Sequence, residues 1–366
     1  MPQRAKYTMR DVARLAGVST ATVSGVINCA ATVSPERRSR VEMAMLALDY
    51  QPDAIARSLK TGKSNTIGII VPDITNAFYP EVIRGAEEAA LESGYSVLLC
   101  DSSENSQIEE RHLSVLVSRR VDGILLVTSI NSRAHEKIAR QSVPIVFVDH
   151  LPPVATAHTV CTDNVQAGQL AAEHLIHLGH RRIGMIAGSL TLSSHRDRLE
   201  GFRKAMQENH LPIFNEHLIC GDAHVEDGLA AGHRLLDLSS PPTAIMATTY
   251  KLLLGLLQAA DERGVVIPNE LSVLGFDDYL WNRHFNPTLT AVAQTTHEMG
   301  KRSFELLRQL IQNPTEETTK PMHVLLPAEL RVRKSTAAPS TSPDAETPEP
   351  ANARENSHGR RGGGSR

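Results

Sequence analysis

Short hydroxyl side chains recur between residues 19 and 24 and could donate hydrogen bonds to phosphate oxygens. The residues concerned are Ser19, Thr22 and Ser24. Contacts of this kind fix the register of a protein on a nucleic-acid duplex without reading its bases. On a helical projection the neighbouring face, which would meet base edges, contains Thr20, Ala21, Ser24, Gly25 and Asn28. The chemistry of this segment suits a duplex polyanion.

Local signals place a short helix before this segment. Thr8 and Asp11 have the spacing of a capping box, in which the two residues satisfy each other's free backbone amides. Val12 and Leu15 are expected to face inward, and Gly17 is expected to end the helix.

Two further helices follow. Ser19 can cap the second, and the Ser-Pro-Glu sequence at 34–36 is typical of the start of a third. A helix, a turn and a second helix over residues 8–28 form a helix-turn-helix pattern, whose second helix enters the major groove of DNA. An ordinary helical hairpin is the alternative that this pattern leaves open.

The charge is distributed unevenly. Residues 1–64 contain ten Lys and Arg against five Asp and Glu, a balance of +5. Because the whole chain carries −3, the remainder carries −8. A basic head on an acidic body indicates a polyanionic partner for the head, although a merely solvated basic surface would give the same count.

Composition excludes several classes of protein. No apolar run approaches the roughly 20 residues of a membrane span, and the first residues, MPQRAKYTMR, do not resemble a signal peptide. We therefore expect a cytoplasmic protein without a membrane partner. No CxxC pair is present, so neither a disulfide framework nor a cysteine zinc site is expected, and we predict no metal and no cofactor. The four cysteines are Cys29, Cys100, Cys161 and Cys220.

From residue 66 short apolar runs alternate with amphipathic stretches of helical length. The runs include IGIIV, VDGILLV and PIVFVD, each bounded by Gly, Pro or Asp. Such strands are typical of parallel sheets that are covered on both faces. Since about 265 residues exceed one comfortable core, two α/β subdomains are expected. Residues 335–366 lack the large apolar side chains Val, Ile, Leu, Met, Phe, Tyr and Trp, which predicts a disordered tail.

Several motifs together resemble the lac repressor (LacI/GalR) family of bacterial transcription regulators. The motifs are MRDVARLAGVSTATVSGVIN, VSPERRSRV, PDAIARSLKTGKSNTIGIIVPDITNAFYPEVIRG, RRVDGILLV, VCTDNVQAGQLAAEHLIHLGHRRIGMIAG, RLEGF, PPTAIMAT and ELSVLGFDD. They run in the family's order from residue 8 to about residue 330. The resemblance implies an all-α helix-turn-helix headpiece, a hinge helix, and an α/β core of two subdomains with parallel sheets, like the periplasmic binding proteins. It also implies a ligand-responsive repressor that binds a palindromic operator as a homodimer.

The expected boundaries follow from the motifs. The headpiece is predicted at 1–50, the hinge helix and linker at 51–64, and the effector-binding core at 65–334. Within the core we expect one subdomain at about 65–162 and 293–322, and the other at about 163–292 and 323–334.

The hinge segment is too short to persist as an isolated helix in water. Pro52 can start it and Gly62 can end it, while Ile55 and Leu59 form an apolar pair at i, i+4. The resemblance implies that Leu59 is the wedge that such hinges insert into the minor groove. A plain helical linker is the alternative. Together, the residues implied to contact DNA are Thr8, Ser19, Thr20, Ala21, Thr22, Ser24, Gly25, Asn28, Ile55 and Leu59.

The chain departs from the family pattern at two places. Gly25 stands where a long base-contacting side chain is usual, and Ala21 is also short, so direct base reading is expected to be reduced. Thr249-Tyr250 replaces the usual Asn-Asp, which removes a carboxamide and a carboxylate from the ligand's vicinity.

The resemblance implies an effector between the two core subdomains. Carboxylates and an arginine at strand ends suit a sugar or a nucleoside, whose hydroxyls need fixed donors and acceptors between apolar walls. The matching positions are Phe78, Tyr79, Asp149, Arg198, Thr249 and Asp277.

Two other classes remain as alternatives. One is a solute-binding protein with the same core, against which the basic headpiece argues. The other is an α/β enzyme with a DNA-binding head. We predict no catalytic residues, since Ser194, His195 and Asp197 are too close in sequence to form a triad.

Overall fold

A computed structural model describes residues 7–27, 32–50, 62–128, 143–152, 157–313 and 320–340. The predictions made for Asn28, Ile55, Leu59 and most of the hinge segment lie outside the described residues, as do those for residues 341–366.

Three helices form the headpiece around a small apolar core: α1 (Met9–Ala16), α2 (Thr20–Ile27) and α3 (Pro35–Ala47). The Asp11 carboxylate accepts the Thr8 backbone N–H at 2.9 Å, and Gly17 ends α1 with a φ of 62°. The prediction that Leu15 faces inward is wrong, because its side chain is 56% exposed. The inward face of α1 instead consists of Val12 and the alanines at 13 and 16.

The first subdomain of the core contains a parallel six-stranded sheet in the order β11-β5-β4-β3-β1-β2. Helices α4 and α10 cover one face, and α5 covers the other. The near-continuous apolar sequence of the central strands is what burial on both faces requires. The strands are β1 (Thr66–Val71), β2 (Ser96–Asp101), β3 (Gly123–Leu126), β4 (Ile145–Val148), β5 (His158–Thr162) and β11 (His323–Leu326). The helices are α4 (Phe78–Glu92), α5 (Ser106–Ser118) and α10 (Thr296–Gln312).

The second subdomain repeats this plan with the order β12-β10-β9-β8-β6-β7, in which only β12 runs antiparallel to its neighbour among the described strands. Helices α6 and α7 cover one face, and α8 and α9 cover the other. The strands are β6 (Ile183–Ala187), β7 (Leu218–Cys220), β8 (Ala244–Ala247), β9 (Ser272–Phe276), β10 (Thr290–Gln294) and β12 (Ala328–Arg331). The helices are α6 (Asn164–His177), α7 (Ser193–Glu208), α8 (Val225–Leu236) and α9 (Tyr250–Glu262).

The chain passes between the subdomains three times: after β5, after β10 and after β11. Two predicted boundaries are therefore wrong. Residues 293–294 complete β10 in the second sheet, and residues 323–326 form β11 in the first sheet. Because Pro327 is the one residue between β11 and β12, hydropathy gives no sign of the change of sheet.

The tail does not begin where composition predicted. Ser335 is fully buried; its hydroxyl donates to the Val273 carbonyl at 2.6 Å and accepts the Thr290 N–H at 2.8 Å. The Ala337 carbonyl accepts hydrogen bonds from Ser272 and from His180. Residues 335–337 are thus bound to the second subdomain by polar contacts, which a composition argument based on apolar residues does not detect.

Among the described residues, the helices include none that combines the length and the apolar character needed to cross a bilayer.

Candidate functional site

A cavity of about 350 Å³ lies between the two subdomains of the core. In parallel sheets the loops at the carboxyl ends of strands meet at one edge, and ligands bind there. Both subdomains contribute to its wall, and all six residues predicted for the effector line it: Phe78, Tyr79, Asp149, Arg198, Thr249 and Asp277.

Arg198 lines the cavity, is 4% exposed and is held by hydrogen bonds. Its Nε donates to the Asn164 side-chain oxygen at 2.8 Å, and its Nη1 donates to the Thr248 carbonyl at 2.6 Å. The guanidinium also lies 4.3 Å from the centre of the Phe276 ring. Burial lowers the pKa of Arg198, while Asp277 and Asp149 oppose the shift. The side chain is a pre-positioned cation whose geometry does not depend on a ligand.

A glycine makes this position of Arg198 possible. A Cβ on Gly168 in α6 would lie 2.1 Å from the backbone oxygen of Arg198 in α7. Only a residue without a side chain lets the two helices approach this closely.

Asp277 follows β9 and is buried beside Arg198. Burial raises the pKa of Asp277, and the nearby Arg198 guanidinium opposes this. The Gln294 amide donates to its carboxylate at 2.7 Å and accepts the Thr162 hydroxyl at 2.6 Å. Sequence reasoning missed Gln294, which ends a strand that was not predicted. Gln294 ends β10 and Thr162 ends β5, and the chain crosses between the subdomains after each of these strands. The two bonds therefore connect the Asp277 carboxylate to two of the three crossing segments.

Asp149 and its neighbour form a polar line across the cavity wall. The His150 Nε2 lies 3.3 Å from the Asp149 carboxylate, and its Nδ1 is 3.0 Å from the Ser194 hydroxyl. The Leu151 N–H donates to the Ser193 hydroxyl at 2.7 Å. The loop after β4 in the first subdomain is therefore bonded to the start of α7 in the second. Sequence reasoning did not find His150, because nothing local to it signals the contact with Ser194.

Aromatic rings form other parts of the wall. The rings of Phe78 and Tyr79, at the start of α4, meet edge to face at 5.2 Å. The Tyr250 ring packs edge to face on Tyr279 at 5.3 Å and lies 6.3 Å from Trp281. Burial raises the pKa of Tyr79 well above its ordinary value, so its hydroxyl stays protonated and can donate a hydrogen bond.

Thr249 and Lys251 flank Tyr250; the first caps a helix and the second forms an ion pair with the other subdomain. The Thr249 hydroxyl caps α9 by accepting the Leu252 N–H at 3.2 Å. The Lys251 ammonium lies 3.0 Å from the Asp73 carboxylate of the other subdomain. Burial disfavours both charged forms, but the hydrogen bond between the two groups and their mutual attraction outweigh it. The pKa of Lys251 is therefore raised. The pKa of Asp73 is lowered, because its carboxylate also accepts hydrogen bonds from Thr75. Sequence reasoning missed this pair too.

In the headpiece, α2 buries Val23 and Val26 and leaves the predicted DNA-facing positions accessible. Thr20 and Ala21 are exposed, and Ser24 and Gly25 are partly exposed. Ser19 caps the helix by accepting the Thr22 N–H at 3.1 Å, and the two hydroxyls are 2.9 Å apart. The Thr8 hydroxyl donates to Asp11 at 2.7 Å. Arg40 in α3 donates to the carbonyls of residues 16 and 17, which fixes the turn between α1 and α2.

Comparison with known proteins decides the family. Residues 8–53 match the model of bacterial regulatory proteins of the lacI family, and residues 172–336 match a periplasmic binding protein-like domain. The transcriptional regulator DegA of Bacillus subtilis is 36% identical over 92% of this chain and 100% of its own length. The chain belongs to the lacI family.

Solved structures of lacI-family proteins share its architecture. The lac repressor dimer bound to operator and the anti-inducer ONPF matches 91% of this chain and 99% of its own, with a TM-score of 0.80 and 28% identity. A lacI-family regulator from Enterococcus faecium with bound ribose matches 75% of this chain and 99% of its own, with a TM-score of 0.65 and 31% identity. The predicted fold class is confirmed, and this lacI-family chain is a DNA-binding transcriptional regulator.

Proposed function

We propose that this lacI-family chain is a repressor whose homodimer binds a palindromic operator, and that a small sugar-like or nucleoside-like effector in the cavity changes its affinity for the operator. The observation that carries the proposal is the cavity itself, whose wall is shared by both subdomains. A ligand held by both walls binds one arrangement of the subdomains better than another, and this difference in affinity is what lets it shift the equilibrium.

The lining supports a hydroxyl-rich effector. Asp149 and Asp277 offer acceptors, Arg198 offers charged donors, and Phe78 and Tyr250 offer flat apolar faces. Sugars and nucleosides present hydroxyls at their edges and apolar ring faces, so this mixture of groups suits them. The Thr249 hydroxyl accepts the Leu252 N–H in the helix cap, and its O–H can still donate to a ligand.

The headpiece supports DNA binding by α2. Thr20, Ser24 and Asn28 are the proposed major-groove readers, while Ser19 and Thr22 contact phosphates. Thr8, Ala21 and Gly25 complete the surface against the groove, and Ile55 and Leu59 act from the hinge in the minor groove. A two-fold dimer presents two identical headpieces, which calls for a palindromic site.

Two measurements test this function. Full-length protein is used to select duplexes from a random pool, and a thermal-shift panel of sugars, polyols and nucleosides is used to find the effector. Fluorescence anisotropy on the selected duplex, with and without the stabilising compound, should then show a change in affinity. Failure to enrich a palindrome, or a compound that stabilises the core without altering DNA affinity, contradicts the proposal. Asp261→Asn, an exposed change on α9, is a matched control for changes in the cavity.

We further propose that the chain catalyses no reaction. We also propose that it acts in the bacterial cytoplasm, on the nucleoid when it is bound to its operator. One observation favours the enzyme alternative: Ser194, His150 and Asp149 lie in a line along the cavity wall. A hydrolytic serine would release p-nitrophenol from p-nitrophenyl esters, and Ser194→Ala would abolish that release. We expect no release above that of the variant, and turnover lost on this substitution would establish the enzyme instead.

A further inference from the structure

The Lys251–Asp73 ion pair joins two elements that are far apart in the sequence and belong to different subdomains. Asp73 follows β1 in the first subdomain, and Lys251 lies in the first turn of α9 in the second. Glu104, which follows β2, places a second carboxylate oxygen 4.0 Å from the ammonium. Lys251 and Glu104 both line the cavity.

Hydrogen bonds of their own hold the Asp73 carboxylate and the start of α9 in place. One Asp73 oxygen accepts the N–H of Thr75 at 2.9 Å and its hydroxyl at 2.5 Å, which leaves the other oxygen for Lys251. The Glu104 N–H is bonded to the Pro72 carbonyl at 2.8 Å. On the other side, the Thr249 cap fixes the start of α9. Since the Asp73 carboxylate loses little further freedom on pairing, less entropy opposes the contact than in a typical surface pair.

The surroundings also strengthen the attraction. The side chains of Lys251 and Asp73 are 23% and 19% exposed, so solvent screens them less than it screens a fully exposed pair. The subdomains are linked by three crossing segments, an arrangement that permits hinge motion. A contact that spans the cleft beside such a hinge exists in the closed arrangement and is lost when the cleft opens.

We propose that Lys251 is a positioning residue that holds the two subdomains in the arrangement that forms the cavity. It does so through Asp73, with Glu104 adding to the attraction. The inference rests on the proposed function only in treating this cavity as the effector site. Its consequence is that the cleft is biased toward closure before any effector enters.

Hydrogen exchange measured by mass spectrometry on the full-length protein tests this without any effector. The reporter is the peptide that contains Leu151, whose N–H is bonded across the cleft to Ser193. In Lys251→Met this peptide should exchange about two- to fivefold faster, the range expected for loss of one ion pair. Asp73→Asn, which keeps the shape of the side chain, should give the same change.

Salt dependence separates pairing from packing. The difference between wild type and Lys251→Met should shrink between about 0.01 M and about 1 M salt, because salt screens the ion pair. Arg263→Met, which removes an ion pair with Asp237 inside the second subdomain, is the matched control and should leave the reporter peptide unchanged.

Unchanged exchange in Lys251→Met and Asp73→Asn would overturn the proposal, as would a difference from wild type that is the same at low and at high salt. These outcomes do not depend on whether an effector has been found. A failed effector screen therefore contradicts the proposed function and leaves the exchange result standing.

Discussion

Asp149 and Asp277 occupy equivalent positions in the two subdomains. Asp149 directly follows β4 and Asp277 directly follows β9, and each has a φ of 70°. The N–H of Asp149 donates to the Val160 carbonyl at 3.0 Å, and the N–H of Asp277 donates to the Val292 carbonyl at 2.9 Å. The left-handed conformation costs a non-glycine residue roughly 1–2 kcal/mol. The surrounding strands must therefore stabilise it at both residues, once in each subdomain. Its effect is that each subdomain presents one carboxylate to the cavity.

The first prediction concerns the carboxylate and the guanidinium. Asp277→Asn or Arg198→Ala should abolish the response to effector and leave operator binding intact, because the ligand acts only through its contacts in the cavity. Calorimetry with the compound found by thermal shift measures the affinity, and anisotropy measures operator binding. Asp261→Asn should behave as wild type. Unchanged calorimetric affinity in both cavity variants would remove these residues from the site.

The second prediction concerns pH. Burial, with smaller contributions from Arg198 and His150, holds the pKa of His195 well below its ordinary value. Below about pH 6.5 the imidazole is protonated in the unfolded chain but stays neutral in the folded protein. The contribution of His195 to the free energy of unfolding is therefore fully present above about pH 6.5 and is lost as pH falls toward the folded-state pKa.

This loss has a slope of up to about 1.4 kcal/mol per pH unit for one such group. In urea melts between pH 7 and pH 5, His195→Gln should flatten the slope, whatever it does to the stability at pH 7. His224→Gln, at an exposed position that also lines the cavity, is the control. An equal slope in wild type and His195→Gln would show that His195 is not buried as a neutral ring.

The third prediction concerns the helix contact beneath Arg198. Gly168→Ala should lower the free energy of unfolding by about 1–3 kcal/mol, because its methyl group would press on the backbone of α7 rather than on a flexible side chain. Gly221→Ala, where a Cβ would meet open space, should be close to neutral. Denaturant melts compare the two. Equal stabilities would mean that α6 and α7 can separate without cost.

The fourth prediction concerns base reading by α2. Gly25→Arg should tighten binding to duplexes with a guanine at the facing base pair by about 1–3 kcal/mol if the contact is bidentate. Gly25→Ala controls for helix propensity, which rises by about 1 kcal/mol in both variants without adding a base contact. Anisotropy against duplexes that differ only at that pair decides it. A gain of the same size on every duplex would assign the effect to phosphate contacts.

The fifth prediction concerns the segment 335–340. Truncation after Ser340 should leave stability and the dimer unchanged, since no apolar heptad that could form a coiled coil lies beyond it. Truncation after Lys334 should cost about 2–4 kcal/mol, because it leaves buried polar partners such as the Val273 carbonyl unsatisfied. Thermal melts and sedimentation measure both. Loss of dimers on truncation after Ser340 would place the dimer contact in the tail.

The sequence predicted the strands with continuous apolar runs and missed those of mixed composition, for a physical reason. Apolar runs such as residues 67–71 carry a clear signal because both faces of the strand are buried. Strand β7 has three residues, and strand β10 reads TAVAQ, so neither stands out from loop sequence. Helix α1 was placed to within two residues because its capping signals, Thr8 with Asp11 and then Gly17, are present.

The cavity was only partly predictable. Asp149, Arg198 and Asp277 could be named because motifs place them at strand ends or in a known helix. Gln294 and Lys251 could not, because each is defined by a partner more than 15 residues away in sequence that topology alone brings near.

Trp281 is the one tryptophan of the chain, and its ring lies 4.6 Å from Tyr279 and 6.3 Å from the cavity residue Tyr250. Indole emission depends on what surrounds the ring, so we expect a small molecule that displaces Tyr250 to alter the intensity or the wavelength of the protein's own fluorescence. The intact regulator thus carries a built-in optical probe. Its occupancy can be followed in real time, on or off DNA, without attaching a dye.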